Sequence, residues 1–163
     1  MKRSLLATSI ALTMFSAIAQ ETPNNKAIET VTIYGNQLKA QEATGAAQYI
    51  GEQDLEKFAY TDIQRIIRQA PGVSLQVEDG YGLRPNISIR GVATKRSGRI
   101  TLLEDNVLIA PAPYSAPSAY YFPTAGRMSA FEVVKGPAAI TQGPYTIGGA
   151  INMLSTPIPN TQS

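Results

Sequence analysis

The stretch from Thr61 to Glu78 constrains the fold more than any other part of the chain. Thr61 and Gln64 have capping-box spacing. Ile63, Ile66, Ile67 and Ala70 then fall at i, i+3, i+4 and i+7, which is one apolar face of a helix. Pro71-Gly72 ends that helix. Val73, Leu75 and Val77 alternate with Ser74, Gln76 and Glu78, the period of a half-buried strand. A helix thus gives way at once to a strand. The rest of the chain repeats the mixture. Ala46 to Ile50 reads as a strand and Glu52 to Phe58 as a short helix. Asn86 to Arg90 alternates with Ile87 and Ile89 inward. Ile100 to Leu103 and Val107 to Ile109 flank Asp105-Asn106, a good tight turn. Phe131 to Lys135 and Ala150 to Leu154 read as two more strands. The pieces show neither βαβ regularity nor an internal repeat. They predict an α+β domain with a small mixed sheet, short helices and long loops. At 163 residues, the chain suits one domain.

Composition narrows the chemistry. Cysteine and histidine are both absent. That excludes disulfide frameworks, thiol nucleophiles, zinc sites built on Cys or His, and Ser-His or Cys-His catalysis. The N-terminus has the layout of a secretory signal peptide: Lys2 and Arg3, an uncharged apolar run from Leu5 to Ile18, and Ala17-Ile18-Ala19 before Gln20. The apolar run falls short of the roughly 20 residues that span a bilayer. Without residues 1–19, the 14 basic residues lose Lys2 and Arg3, and 12 remain against 12 acidic ones. A neutral mature chain gives no support for nucleic-acid binding. Asn106 to Gly126 is uncharged, but Pro111, Pro113, Pro117 and Pro123 forbid a continuous helix there.

Several features bear on binding. Glu29, Thr30, Val31, Thr32 and Ile33 lead a β-prone run between polar, flexible flanks, with Gln20 to Lys26 before it and Asn36 to Gly45 after it. Such a run is either an ordinary edge strand or a peptide that adds to another protein's sheet. Lys95, Arg96 and Arg99 cluster in a glycine-containing loop, as a solvated basic loop or as a patch for an anionic ligand. Tyr114, Tyr120, Tyr121 and Phe122 lie among prolines, either presented for recognition or packed under a long loop. The acidic pairs Glu78-Asp79 and Glu104-Asp105 stand at strand ends, where turn chemistry explains them. Gly148-Gly149 lacks the Lys-Ser/Thr of a phosphate loop and fits close backbone packing.

Six segments in order resemble the plug domain of TonB-dependent outer-membrane receptors. Glu29 to Ile33 (ETVTI) resembles a TonB box. Asp62-Ile63 to Pro71-Gly72-Val73 is similar to the family's helix and PGV turn. Asn86 to Gly91 (NISIRG) resembles its IRG strand, and Leu102 to Asn106 (LLEDN) its LLDG hairpin. Phe131 to Pro137 (FEVVKGP) is similar to IEVVRGP, and Tyr145 to Leu154 (YTIGGAINML) to AIGGVINIV. The resemblance covers Ile28 to Pro159. Within it, Arg99 to Pro117 is most similar to the ferric dicitrate type of receptor, above all at Ala112-Pro113-Tyr114. The sequence departs from the pattern at Lys135, where the family has Arg, and at Asn106, where it has Gly.

The resemblance implies a signal peptide over 1–19, a flexible segment with the TonB box over 20–44, a plug domain over 45–159, and a tail at 160–163 where a barrel would begin. It implies no enzyme activity, no catalytic residue and no metal ligand or cofactor. Iron is expected only within a bound chelate. The implied partners are TonB, through Glu29 to Ile33, a metal chelate, and a 22-stranded barrel, the size of plugged outer-membrane transporters. Six residues from Ile158 to Ser163 supply no barrel strand, since one needs about 9–11 residues. The ten residues from Gln20 to Glu29 leave no room for an N-terminal signalling domain. Lys95, Arg96, Arg99, Tyr114 and Ser115 would face the ligand. Arg90 and Lys135 would face barrel carboxylates and be exposed in their absence. The implied location is the outer membrane when joined to a barrel, and the periplasm if the chain stands alone. The alternatives are a free-standing periplasmic binding module and a non-functional receptor fragment.

Overall fold

In the computed structural model of this protein, residues 33–43, 45–59, 61–78, 84–110 and 122–158 are described. The signal-peptide stretch 1–19, the box residues Glu29 to Thr32, the loop residues Tyr114 and Ser115, and the tail 160–163 lie outside them. Five strands form the main sheet: β1 (Ala46–Ile50), β4 (Ile100–Glu104), β5 (Val107–Ala110), β6 (Met128–Lys135) and β7 (Gly149–Ser155). Their order is β1-β6-β7-β4-β5. The β4–β7 pair is parallel and the other three are antiparallel, so the sheet is mixed. A second, two-stranded antiparallel sheet pairs β2 (Val73–Leu75) with β3 (Ile87–Ile89). Among the described residues there are three short α-helices, α1 (Gln37–Glu42), α2 (Glu52–Phe58) and α3 (Ile63–Ile67), and three 3-10 segments, Lys95–Ser97, Ala125–Arg127 and Gly136–Gln142. The fold is α+β.

The two faces of the main sheet are covered unequally. Phe131, Val133, Ile151, Met153, Ile100 and Leu102 point to one side and pack with Ile63, Ile66 and Ile67 of α3 and with Ile87 and Ile89 of β3. Several of these side chains are completely buried, and each stabilises the fold by about 2 kcal/mol. Residues of opposite parity, Leu103, Val134 and Ala150, meet Ala139 on the other face. Ile33, Tyr34 and Ala138 pack against that smaller cluster. The strand period of two sorts adjacent residues of β6 onto opposite sides.

Local details revise the sequence reading in two places. Asp62, not Thr61, caps α3: its Oδ1 accepts from Gln64 N at 2.8 Å while Thr61 is exposed. The inward alternation stops at Leu75, and Val77 is 58% exposed. The partner strand β3 pairs only with Val73, Ser74 and Leu75, so nothing continues the ladder beyond Gln76 N, which donates to Asn86 O. The other strands stand where alternation puts them. Asp105 and Asn106 both have positive φ, 49° and 63°, as a two-residue hairpin turn requires. The Asp105 carboxylate accepts from Ser155 N and Oγ at 2.9 and 2.7 Å, and Glu104 is ion-paired with Arg127. That acidic pair is therefore spent on structure. At the start of β7, a Cβ on Gly149 would lie 2.3 Å from Val134 O, so only glycine permits this strand approach.

Candidate functional site

The N-terminal arm is the first part of the site. Ile33 is the only box residue among the described ones, and it is fixed through its backbone. Ile33 N donates to Glu132 Oε2 at 2.7 Å. Tyr34 N and Gly35 N donate to Glu132 Oε1, each at 2.8 Å. Asn36 then caps α1, its Oδ1 accepting from Lys39 N at 2.9 Å. Ala40 is buried, and α1 packs on β1. The sequence reading gave 36–45 as flexible. One turn and a half of helix with a single buried alanine leaves too little apolar periodicity to detect.

Glu132 receives the arm from within β6. It is registered between Tyr49 of β1 and Asn152 of β7, and is 0% exposed. Asn152 Nδ2 donates to Glu132 Oε2 at 3.0 Å. Asn152 Oδ1 in turn accepts from Asn106 N at 2.9 Å in the β4–β5 turn. Burial raises the Tyr34 phenol above its ordinary value, and the negative charge of Glu132 raises it further. Tyr49 is raised in the same order, with Glu52 adding a smaller push. Sequence reasoning assigned no role to Glu132 or Asn152. The available signal was one polar residue amid apolar ones in each of two strands, FEVVK and AINML.

Arg90 and Lys135 come together at the far end of β6. The Arg90 Nη1 lies 2.7 Å from where a Cβ on Gly136 would be, which puts the guanidinium over the residue after Lys135. Arg90 is exposed, as expected, and no ion pair involves it among the described residues. Lys135 departs from expectation: it is 7% exposed, and its Nζ donates to Pro71 O at 2.8 Å. Lys135 projects onto the face that carries α3 and the β2–β3 pair, where the PGV turn covers it. Burial lowers its ammonium below the ordinary lysine value, and the Arg90 charge lowers it further.

The basic loop enters β4 from the same end of the sheet. Lys95–Ser97 form one turn of 3-10 helix. Arg96 and Ser97 hold left-handed φ values of 51° and 54°, a conformation that costs about 1 kcal/mol or more for each non-glycine residue. Hydrogen bonds hold it. Arg96 N donates to Asn86 Oδ1 at 2.7 Å, Ile87 N to Ser97 Oγ at 2.9 Å, and Ser97 Oγ to Pro85 O at 3.0 Å. The Arg96 guanidinium is engaged by Glu78 at 2.5 Å. Lys95 and Arg99 are exposed, with no ion pair among the described residues. The structure thus separates the three cations of the loop into one that is paired and two that are presented. Phe122, at the end of the aromatic stretch, is buried in the main core.

No group of three or more His, Cys, Asp or Glu among the described residues could hold a metal ion. No described helix is long and apolar enough to cross a membrane. The described residues thus form a mixed sheet with a backbone-docked arm and a basic loop at one end. The comparisons give the family. The model of the TonB-dependent receptor plug domain matches residues 39–150. The unliganded ferric citrate transporter FecA is 32% identical over 77% of this chain, with a TM-score of 0.69. The siderophore receptor PirA from Acinetobacter baumannii is 26% identical over 75%, with a TM-score of 0.56. A mutant of the ferric enterobactin receptor PfeA from Pseudomonas aeruginosa is 26% identical over 74%, with a TM-score of 0.54. These matches cover 20%, 18% and 18% of the respective receptors, so this chain spans about a fifth of their length. The chain belongs to the TonB-dependent receptor plug domain family. Plug domains are parts of transporters rather than enzymes, and TonB-dependent receptors reside in the outer membrane.

Proposed function

We propose that the chain is the gate and ligand-binding plug of an outer-membrane receptor that imports a metal chelate, of the ferric siderophore or ferric citrate-like class. The mechanism is binding followed by an energy-coupled rearrangement of the plug, with no covalent chemistry. The chelator carries the iron, so the protein needs no metal ligand of its own. TonB takes hold of Glu29 to Ile33 as an added strand, and a 22-stranded barrel surrounds the plug. Lys95 and Arg99 attract the anionic chelate, with Arg96 beside them. Tyr114 and Ser115 add hydrogen bonds from a proline-stiffened loop, which lowers the ordering cost of binding. Arg90, which is exposed, meets a carboxylate on the barrel wall, with Lys135 buried behind it.

The observation that carries this reading is the 32% identity to a ferric citrate transporter over 77% of the chain, joined to exposed Lys95 and Arg99 at one end of the sheet. Calorimetry on a barrel-completed receptor, across a panel of anionic ferric chelates, tests it. Arg99→Ala weakens binding of the best chelate by at least about 1 kcal/mol, the worth of one charge-assisted hydrogen bond. Parent-like affinity in both Arg99→Ala and Tyr114→Ala removes this ligand face. Uptake in Val31→Pro, at a box residue upstream of the amides that Glu132 binds, tests the TonB contact separately: uptake falls while chelate binding persists, and unchanged uptake argues against the box.

A further inference from the structure

Glu132 has a coordination that its place in a strand does not call for. A carboxylate offers two oxygens and about four acceptor positions. Here four N–H donors converge on it, two at each oxygen: Ile33 N and Asn152 Nδ2 on Oε2, Tyr34 N and Gly35 N on Oε1. Three of them are consecutive backbone amides. Successive amides curl in this way around an anion when the chain turns into the left-handed region, and Gly35 has φ 74°. The anion in this case is the protein's own side chain, in the middle of its sheet. A buried charge without partners is strongly disfavoured, and the arm supplies three of the four donors that Glu132 has among the described residues.

The geometry points to Glu132 as a docking site for the N-terminal arm: a carboxylate latch that binds the backbone amides of residues 33–35. Recognition by amides ties the latch to the shape of the arm and not to its side chains. Ile33 and Tyr34 add apolar contact beside Leu103 and Val134. Asn152 occupies the fourth acceptor position and is itself held by Asn106 N, so the β4–β5 turn fixes the carboxylate that the arm must find. Lifting the arm strips three donors from a dehydrated anion unless water enters in their place. The arm is therefore either docked and dry or released and wet. A partner that grips the chain upstream of Ile33 loads these three bonds before it loads the β6–β7 ladder; this last step alone rests on the proposed TonB contact.

Amide hydrogen exchange resolved by residue, on the full chain without any partner, tests the latch. In the parent, the amides of Ile33, Tyr34 and Gly35 are protected. Glu132→Gln turns an NH2 group toward donors that need an acceptor, and exchange at these three amides rises about tenfold or more, the worth of a charge-assisted bond. The amides of Ile151 and Met153 in β7 remain protected. Gly35→Ala leaves the sheet untouched and penalises the positive φ, so the same three amides exchange several-fold faster. Free-chain exchange rates at residues 33–35 in the parent overturn the proposal, as do parent rates in both variants. If Glu132→Gln does not fold, Gly35→Ala decides alone, and a parent rate there overturns it. No TonB is present, so failure here is distinct from failure of Val31→Pro, which leaves the three latch amides in place, in the uptake assay.

Discussion

Strand β6 carries two buried charges three residues apart, roughly 10 Å along the strand, and they are treated in opposite ways. Glu132 faces the arm and is saturated with four N–H donors. Lys135 faces the helical side and has one carbonyl, Pro71 O, with the cationic Arg90 nearby instead of a carboxylate. The first charge is balanced within the chain. The second is tolerated by it. Burial therefore does not by itself show where a plug is complete; the partner set does. Glu132 marks a contact the chain makes with itself, and Lys135 a site where a counter-charge from outside would be welcome.

The largest expected effect separates the two charges. Glu132→Ala leaves three backbone amides and the Asn152 amide without their acceptor, and should lower stability by about 3 kcal/mol or more in urea unfolding. A loss under about 1 kcal/mol would mean that water replaces the carboxylate freely, and the contrast with Lys135 would collapse. Asn152→Ala comes next. It removes one donor from Glu132 and the acceptor for Asn106 N, with an expected loss of about 2 kcal/mol in the same assay. Lys135→Met is smaller: it trades a poorly compensated ammonium for an apolar chain of similar length, and stability should stay within about 1 kcal/mol of the parent. A loss as large as that of Glu132→Ala would show Lys135 to be fully satisfied inside the chain.

The subtlest effect is on titration. Lys135 releases its proton below the ordinary lysine value of 10.5 because burial, and then Arg90, disfavour the charge. Between its folded value and 10.5 the unfolded chain holds more protons, so this group adds stability as pH rises and withdraws it as pH falls. Tyr34 and Tyr49, raised above 10.0, work the other way: the folded chain keeps protons that the unfolded chain loses, and stability falls as pH climbs past 10. Global unfolding mixes these terms, so Lys135 should be followed alone by side-chain NMR. Arg90→Ala should move its titration upward but short of 10.5, since burial is the larger cause. No movement in Arg90→Ala would separate the two cations and dissolve the basic pair.

Much of this architecture was legible along the chain, and the reason is periodicity. Ile63, Ile66, Ile67 and Ala70 bury one helix face, Phe131 and Val133 bury one sheet face, and Asp105-Asn106 turn a hairpin, because spacing along a regular element dictates which side chains share a side. The same argument is silent about α1, where one and a half turns bury a single alanine. It could not distinguish Asp62 from Thr61 as the cap, since both residue types can accept the first-turn amide. Nor could it pair Arg96 with Glu78, 18 residues away, and leave Lys95 and Arg99 presented. The largest gap is Glu132. Its partners lie 97 to 99 residues upstream and 20 downstream, and three of them are backbone amides that any sequence carries. Residue types determined the elements and their buried faces. Only the tertiary structure decided where the charges of β6 find partners, because hydrogen bonds to a common backbone group leave no trace in the identity of the residue that makes them.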